Sequence, residues 1–268
     1  MEKEKKEMEY KTDLEKYFHA NTGRLIHKWQ HYFDIYDRHF SKFRGKEVVV
    51  LEIGVFQGGS LQMWKNYFGD KARIIGIDVN PECKKFEEEN IEIYIGSQSD
   101  RSFWRELKSK IPDVDVLIDD GGHTMNQQIV TFEEMYDKVK PNGVYLSEDL
   151  HTSYWLNFGG GYKRYNTFIE YSKNMIDKIN AFHSKSPFLK VDKFTKSTDS
   201  LHYYDSILVI EKRERETPKD IMNGKMTNDY NWEVEKGAIR SIKNLVRSII
   251  NITFRLFGLN RGYYDYRS

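Results

Sequence analysis

Two short clusters concentrate acidic side chains in this chain. One is Leu117-Ile118-Asp119-Asp120-Gly121-Gly122-His123-Thr124; the other is Ser147-Glu148-Asp149-Leu150-His151-Thr152-Ser153. Each follows an apolar run that reads as a strand, so both sit where consecutive strands end. In open α/β sheets that edge is where ligands bind. Carboxylates brought together there repel one another, and more so in a poorly hydrated cleft. A divalent cation relieves the repulsion. An oxygen-rich set suits Mg2+, Mn2+ or Ca2+ rather than zinc. His123, three residues after Asp120, has the chemistry of a base or a ligand. Single acids such as Asp119 could instead cap the helix that follows, but capping explains two acidic clusters poorly. His151 reads as a loop residue.

A second group of residues has the character of a cofactor site. Glu52-Ile53-Gly54-Val55-Phe56-Gln57-Gly58-Gly59-Ser60 lies between an apolar run and a helical pattern. Glycines there allow a tight turn and a close backbone approach to a ligand. The spacing is neither the G-x-G-x-x-G of dinucleotide binders nor a P-loop. Glu52 would repel a pyrophosphate and favours a cationic or neutral cofactor. Asp78, after Ile74 to Ile77, can accept both hydroxyls of a ribose. Gly96-Ser97-Gln98 follows the next run and could meet an adenine. In this order the pieces point to S-adenosylmethionine.

The elements that must position these groups alternate. Apolar runs at Val48 to Ile53, Ile74 to Ile77, Ile91 to Ile95, Val114 to Ile118 and Val144 to Leu146 read as strands. Helical patterns occupy 59–68, 99–110 and 124–139. The alternation predicts a doubly wound, mostly parallel sheet. Pro141-Asn142-Gly143 reads as a turn feeding the fifth strand. A helix running to about His183 is expected after Gly159-Gly160-Gly161. Strands at 188–195 and 202–211 then form an antiparallel pair, joined by a polar segment containing Ser197 to Ser200. Upstream, Leu25, Trp29, Tyr32, Phe33, Tyr36 and Phe40 recur at threes and fours, which predicts a docking helix over 24–43.

These motifs resemble a known family. LEIGVFQGGS, IGIDVN, VLIDDGGHT, KPNGVYLSEDLHTSYW and LHYYDSILVIEK are similar to class I S-adenosylmethionine-dependent methyltransferases. Within that class they most resemble the metal-dependent sugar O-methyltransferases of the mycinamicin and macrocin type. The likeness runs from about Val48 to Lys212. It implies a Rossmann-like sheet of seven strands with the last antiparallel. It implies Mg2+ held by Asp120, Glu148 and Asp149, with His123 as general base. The cofactor set is then Glu52, Gly54, Gly58, Ser60, Asp78, Gln98 and Asp119. Relatives often carry an acid where this chain has Ser97.

Composition bounds the rest. The chain has 268 residues, with 42 Lys+Arg, 41 Asp+Glu and one cysteine. The near-zero charge argues against a nucleic-acid partner. Cys83 alone excludes a disulfide scaffold and fits a reducing compartment. No apolar run spans a bilayer, and MEKEKKEMEY has no secretory h-region, so a cytoplasmic protein is expected. Residues 1–45 are expected as a helical cap, 46–213 as the methyltransferase domain and 214–268 as a linker and tail. Within 237–262 lie Arg240, Lys243, Arg247, Arg255 and Arg261, no acid, and an apolar stripe. That predicts an amphipathic helix for a membrane surface or a second subunit, hence a membrane-peripheral location or a homo-oligomer. The expected activity is methylation of a sugar hydroxyl, on a nucleotide-linked sugar for surface polysaccharide. A macrolide sugar, a phenol or amide acceptor, and a non-catalytic cofactor-binding relic are the alternatives.

Overall fold

The computed structural model describes residues 10–227 and, beyond them, Ile242, Val246, Ile249, Ile250 and Thr253. Its centre is a seven-stranded sheet. The strands are β1 (Val49–Ile53), β2 (Arg73–Asp78), β3 (Ile91–Ile95), β4 (Val114–Asp119), β5 (Val139–Ser147), β6 (Thr198–Tyr204) and β7 (Ile207–Lys212). Their spatial order is β3-β2-β1-β4-β5-β7-β6. Only β7 runs against its neighbours, pairing antiparallel with both β5 and β6. The order reverses beside β1, which pairs with both β2 and β4, and a crevice opens at such a reversal. β1 is buried on both faces because helices cover both, and its one charged residue is Glu52.

One face packs α1 (Asp13–Ala20), α2 (Tyr32–Phe40) and α3 (Gly59–Phe68) over Val50, Ile74, Val116 and Val144. The stripe of Tyr32, Phe33, Tyr36 and Phe40 is buried there, with Tyr36 edge-on to Trp64 at 5.1 Å. His39 ties α2 to the sheet by bonding Glu211 on β7 at 2.7 Å. The other face carries α4 (Arg101–Lys110), α5 (Met125–Met135), α6 (Phe168–Ile179) and the short α7 (Lys193–Ser197).

Four expectations need correction. Residues 24–31 are not helical; α2 begins only at Tyr32. Asn21 opens a turn instead, accepting from the Gly23 N–H at 3.0 Å and donating to the Arg24 carbonyl at 2.9 Å. Leu25 and Trp29 are accordingly exposed rather than core. Residues 188–195 are not a strand either. Asp192 and Thr195 cap each other in a reciprocal box that starts α7. The polar stretch expected as a connector, Thr198 to Ser200, is the beginning of β6. The real hairpin turn is Asp205-Ser206, with Ser206 left-handed at φ +64°. Pro141-Asn142-Gly143 lies inside β5, where the register against β4 shifts between Val114 and Val116.

Among the described residues no helix is long and apolar enough to cross a membrane. The tail of 237–262 lies outside the described residues apart from five positions. Those five are helical, and Ile242, Val246, Ile249 and Ile250 are exposed.

Candidate active site

A cleft of about 540 Å3 crosses the C-terminal ends of β2, β1, β4 and β5. Gly54 forms its hinge. Its φ is +97°, and a Cβ there would lie 2.0 Å from the Asp120 carbonyl, so only glycine lets β1 leave the sheet beside β4. Gly58, also left-handed, starts α3. Asp78 supports this turn from β2. Its Oδ2 accepts from the Val55 and Phe56 N–H groups, both at 3.0 Å, and its Oδ1 from Asn80.

The cleft wall brings together Gly54, Ser60, Asp78, Gln98, Asp120, His123, Glu148 and Asp149. Three residues expected to touch the cofactor do not line it. Gly58 faces Phe86. Asp119 is buried below the floor, where Gln98 Nε2 donates to it at 2.9 Å. Burial there pushes its carboxyl up to about 7. Glu52 is fully buried and accepts from the Ser60 hydroxyl at 2.6 Å. Gln98 itself is spent on the floor: besides Asp119 it donates to Thr131 and accepts from the Gly122 N–H.

The acidic groups separate into two layers. Toward the open end, Asp120, His123 and Asp149 each offer a ligand atom, all within 4.8 Å of one another. His123 Nε2 stands 3.7 Å from Asp120 Oδ1 and 3.5 Å from Asp149 Oδ2. His123 and Asp149 both adopt left-handed backbone, at φ +54° and +55°. Non-glycine residues hold such angles only under local constraint, and such strain gathers at functional sites. Two constraints are visible. Thr152 Oγ donates to the His123 carbonyl at 2.9 Å, and Tyr32 donates to Asp149 Oδ1 at 2.8 Å.

Behind this layer lies a residue that sequence reasoning missed. The Lys28 side chain is buried, and its ammonium donates to Asp120 Oδ2 at 2.5 Å, Glu148 Oε1 at 2.9 Å and Glu52 Oε1 at 3.3 Å. It also lies 5.7 Å and 5.9 Å from the ring centres of Tyr36 and Trp64. Burial alone would lower its pKa, but Asp120, Glu148 and Glu52 outweigh burial and hold it well above the ordinary lysine value. Burial, reinforced by Asp120, pushes Glu148 upward despite Lys28. Tyr36 donates to the same Glu148 oxygen at 2.7 Å. Glu148, expected beside Asp149 as a ligand, is thus turned toward Lys28 and Tyr36 rather than into the Asp120–His123–Asp149 set. Lys28 carried no signal in the sequence: 92 positions separate it from Asp120.

Fold and cleft together define a Rossmann-like methyltransferase domain of class I. Over about two thirds of its length the chain is homologous to sugar O-methyltransferases. No protein-family model matches it. It is 32% identical over 194 residues to the 8-demethyl-8-alpha-L-rhamnosyl tetracenomycin-C 2'-O-methyltransferase of Streptomyces olivaceus, covering 68% of this chain and 50% of that one. It is 34% identical over 204 residues to the demethylmacrocin O-methyltransferase of Streptomyces fradiae, covering 70% and 51%. The solved MycE methyltransferase of the mycinamycin biosynthetic pathway, in complex with Mg, SAH and mycinamycin VI, superposes with a TM-score of 0.66 at 29% identity, over 75% of this chain and 53% of that one. The chain spans about half the length of the curated relatives it matches.

Proposed function

We propose that this chain transfers a methyl group from S-adenosylmethionine to a sugar hydroxyl with the help of a divalent cation. One observation carries the reading. Asp120, His123 and Asp149 converge within 4.8 Å at the open end of a cleft whose other end presents Asp78. Two carboxylates suit a hard divalent ion such as Mg2+, and leave the imidazole beside them as a base. Asp120 and Asp149 would hold it, with Glu148 adjacent. When bound, the ion supplies Lewis acidity that lowers the pKa of a coordinated hydroxyl.

The chain's own residues do the remaining work. Asp78 meets the ribose hydroxyls, and the turn from Gly54 to Ser60 bounds the methionine end of the cofactor. His123 Nε2, between the two carboxylates, takes the proton of the attacking hydroxyl. Trp29, His151 and Trp155 form an aromatic wall nearby, with Trp29 5.8 Å and Trp155 4.7 Å from the His151 ring. Such a wall suits the apolar face of a sugar. The rhamnosyl tetracenomycin named for one relative is a glycoside. This supports a glycoside acceptor over the nucleotide-linked sugar expected from sequence.

The test is a panel of glycosides and nucleotide sugars incubated with S-adenosylmethionine and Mg2+, read by mass for one added methyl group. A glycoside should gain it. The variant His123→Ala should lose roughly 10²- to 10⁴-fold in turnover with S-adenosylhomocysteine affinity nearly unchanged. Full turnover in that variant refutes the base assignment. Full activity after exhaustive chelation removes the ion from the scheme.

A further inference from the structure

The segment 21–31 has neither helix nor strand, yet it forms one side of the cleft through Leu25, Ile26, His27, Lys28 and Trp29. It crosses α3 at Gly59, whose absent Cβ would meet the Leu25 and Arg24 carbonyls at 2.4 Å and 2.5 Å. Arg24 clamps its outer end by pairing with Glu88 at 3.3 Å. Lys28 fixes its inner end in the acidic floor.

The oxygens that Lys28 takes are telling. On Asp120 it holds Oδ2, while Oδ1 is the oxygen near His123. On Glu148 it holds Oε1, the oxygen that Tyr36 also holds. The ammonium therefore grips the acidic set from behind and leaves the forward oxygen of Asp120 to the open end. Groups that orient metal-binding carboxylates through hydrogen bonds typically change metal affinity 10- to 100-fold when removed.

We propose that Lys28 is a positioning residue, a cation tethered on the 21–31 strap that aims Asp120 at the divalent ion and, through its bonds to Asp120, Glu148 and Glu52, closes the strap over the cleft. The inference rests on the metal-assisted reading above. It goes further by giving the strap and the ion site one shared anchor, Lys28, which holds Asp120, Glu148 and Glu52 together. An ion that draws on Asp120 leaves Lys28 bound to Glu148 and Glu52, so the strap stays shut while the ion is held.

The experiment is titration of the apo protein with Mn2+, followed by electron paramagnetic resonance, alongside hydrogen exchange of residues 21–31. Wild type should bind one ion. Lys28→Met should weaken Mn2+ by at least tenfold and speed exchange across the strap. Gln30→Ala, on the same strap but exposed and outside the cleft lining, should leave Mn2+ affinity within about twofold. Should Lys28→Met fold poorly, Lys28→Arg keeps the charge and still displaces the hydrogen bonds, so weakened Mn2+ binding is expected there too. Unchanged Mn2+ affinity in these Lys28 variants overturns the proposal. Tighter binding overturns it as well, because Lys28 would then be a competitor of the ion. No Mn2+ binding by wild type is a separate failure, that of the metal-assisted function itself.

Discussion

Replacing Gly59 by alanine tests the strap with opposing effects of known sign. Gly59 is the first residue of α3 and its φ is not in the left-handed region. On local grounds alanine should help, since it favours a helix over glycine by up to about 1 kcal/mol. Tertiary packing opposes this. The new Cβ would stand 2.4 Å from the Leu25 carbonyl, 2.5 Å from the Arg24 carbonyl and 2.7 Å from Ile26 Cγ1, whereas ordinary contact begins at 3.4 Å. The strap must retreat by about 1 Å at its crossing point, three residues before Lys28. Lys28 Nζ reaches Asp120, Glu148 and Glu52 at 2.5, 2.9 and 3.3 Å. A retreat of that size stretches at least one of these bonds beyond hydrogen-bonding range. A charged hydrogen bond lost in a buried site costs about 1.5–3 kcal/mol, and the strain of overpacking adds about 1–3 kcal/mol. The net expectation is destabilisation by about 1.5–6 kcal/mol, or a fall of roughly 3–24 °C in Tm for a domain of this size. Differential scanning calorimetry measures it, and calorimetric titration with S-adenosylhomocysteine should show weaker binding because the strap walls the cleft. A Gly59→Ala protein that is more stable than wild type, with unchanged ligand affinity, would refute the reasoning: the strap would then be a loose cover rather than a fixed wall.

Two further substitutions probe buried polar groups. Tyr36→Phe removes the 2.7 Å hydrogen bond to Glu148 while keeping the ring against Trp64; urea unfolding should show a loss of about 1.5–3 kcal/mol, and a loss below 0.5 kcal/mol would mean that Lys28 alone satisfies that carboxylate. Lys212, nearly buried, donates to the Tyr136 and Val139 carbonyls at 2.9 Å and 2.6 Å, and burial lowers its pKa to about 8. The unfolded chain keeps this proton to about pH 10.4, so between pH 8 and 10.4 the unfolded state binds more protons and stability should rise with pH. Lys212→Met should flatten that rise relative to wild type in parallel melts, and an unchanged slope would place the titration elsewhere.

The sheet was legible because its signals are local. β3 runs from Ile91 to Ile95 and α3 from Gly59 to Phe68, the bounds their apolar patterns predict. Signals fail where a distant partner decides. Helical spacing extends from Tyr32 back through Trp29 to Leu25, but Asn21 and Gly23 turn the chain, and Lys28 is drawn into the floor of the sheet. Threes and fours cannot register an ion pair formed 92 positions away. The same limit explains Glu52. An acid at the end of β1 reads as a cofactor contact, whereas it is sealed between Ser60 and Lys28. Residues 188–195 read as a strand, whereas the Asp192–Thr195 box starts a helical turn there. In the site, the residue types were readable and their directions were not. Glu148 and Asp149 are adjacent in sequence, but left-handed backbone at Asp149 sends the two carboxylates to different partners.

That divergence answers a physical question raised by the acidic clusters themselves. Glu52, Asp120, Glu148 and Asp149 are brought by β1, β4 and β5 to one edge of the sheet, where partial burial magnifies their repulsion. If an ion alone opposed it, the floor would be unstable whenever the ion was absent. Lys28 removes that dependence for the two fully buried carboxylates, Glu52 and Glu148, which no solvent can screen. Asp120 and Asp149 remain partly exposed, at 19% and 21%, so water can screen them until an ion arrives. The division assigns the permanent charge partner to the buried layer and the exchangeable one to the layer that faces the acceptor. It also accounts for the cation's location on a segment outside the sheet. A lysine on β1, β4 or β5 would be fixed whether or not the cleft is occupied, whereas one on the 21–31 strap ties the integrity of the acidic floor to closure of the wall above it.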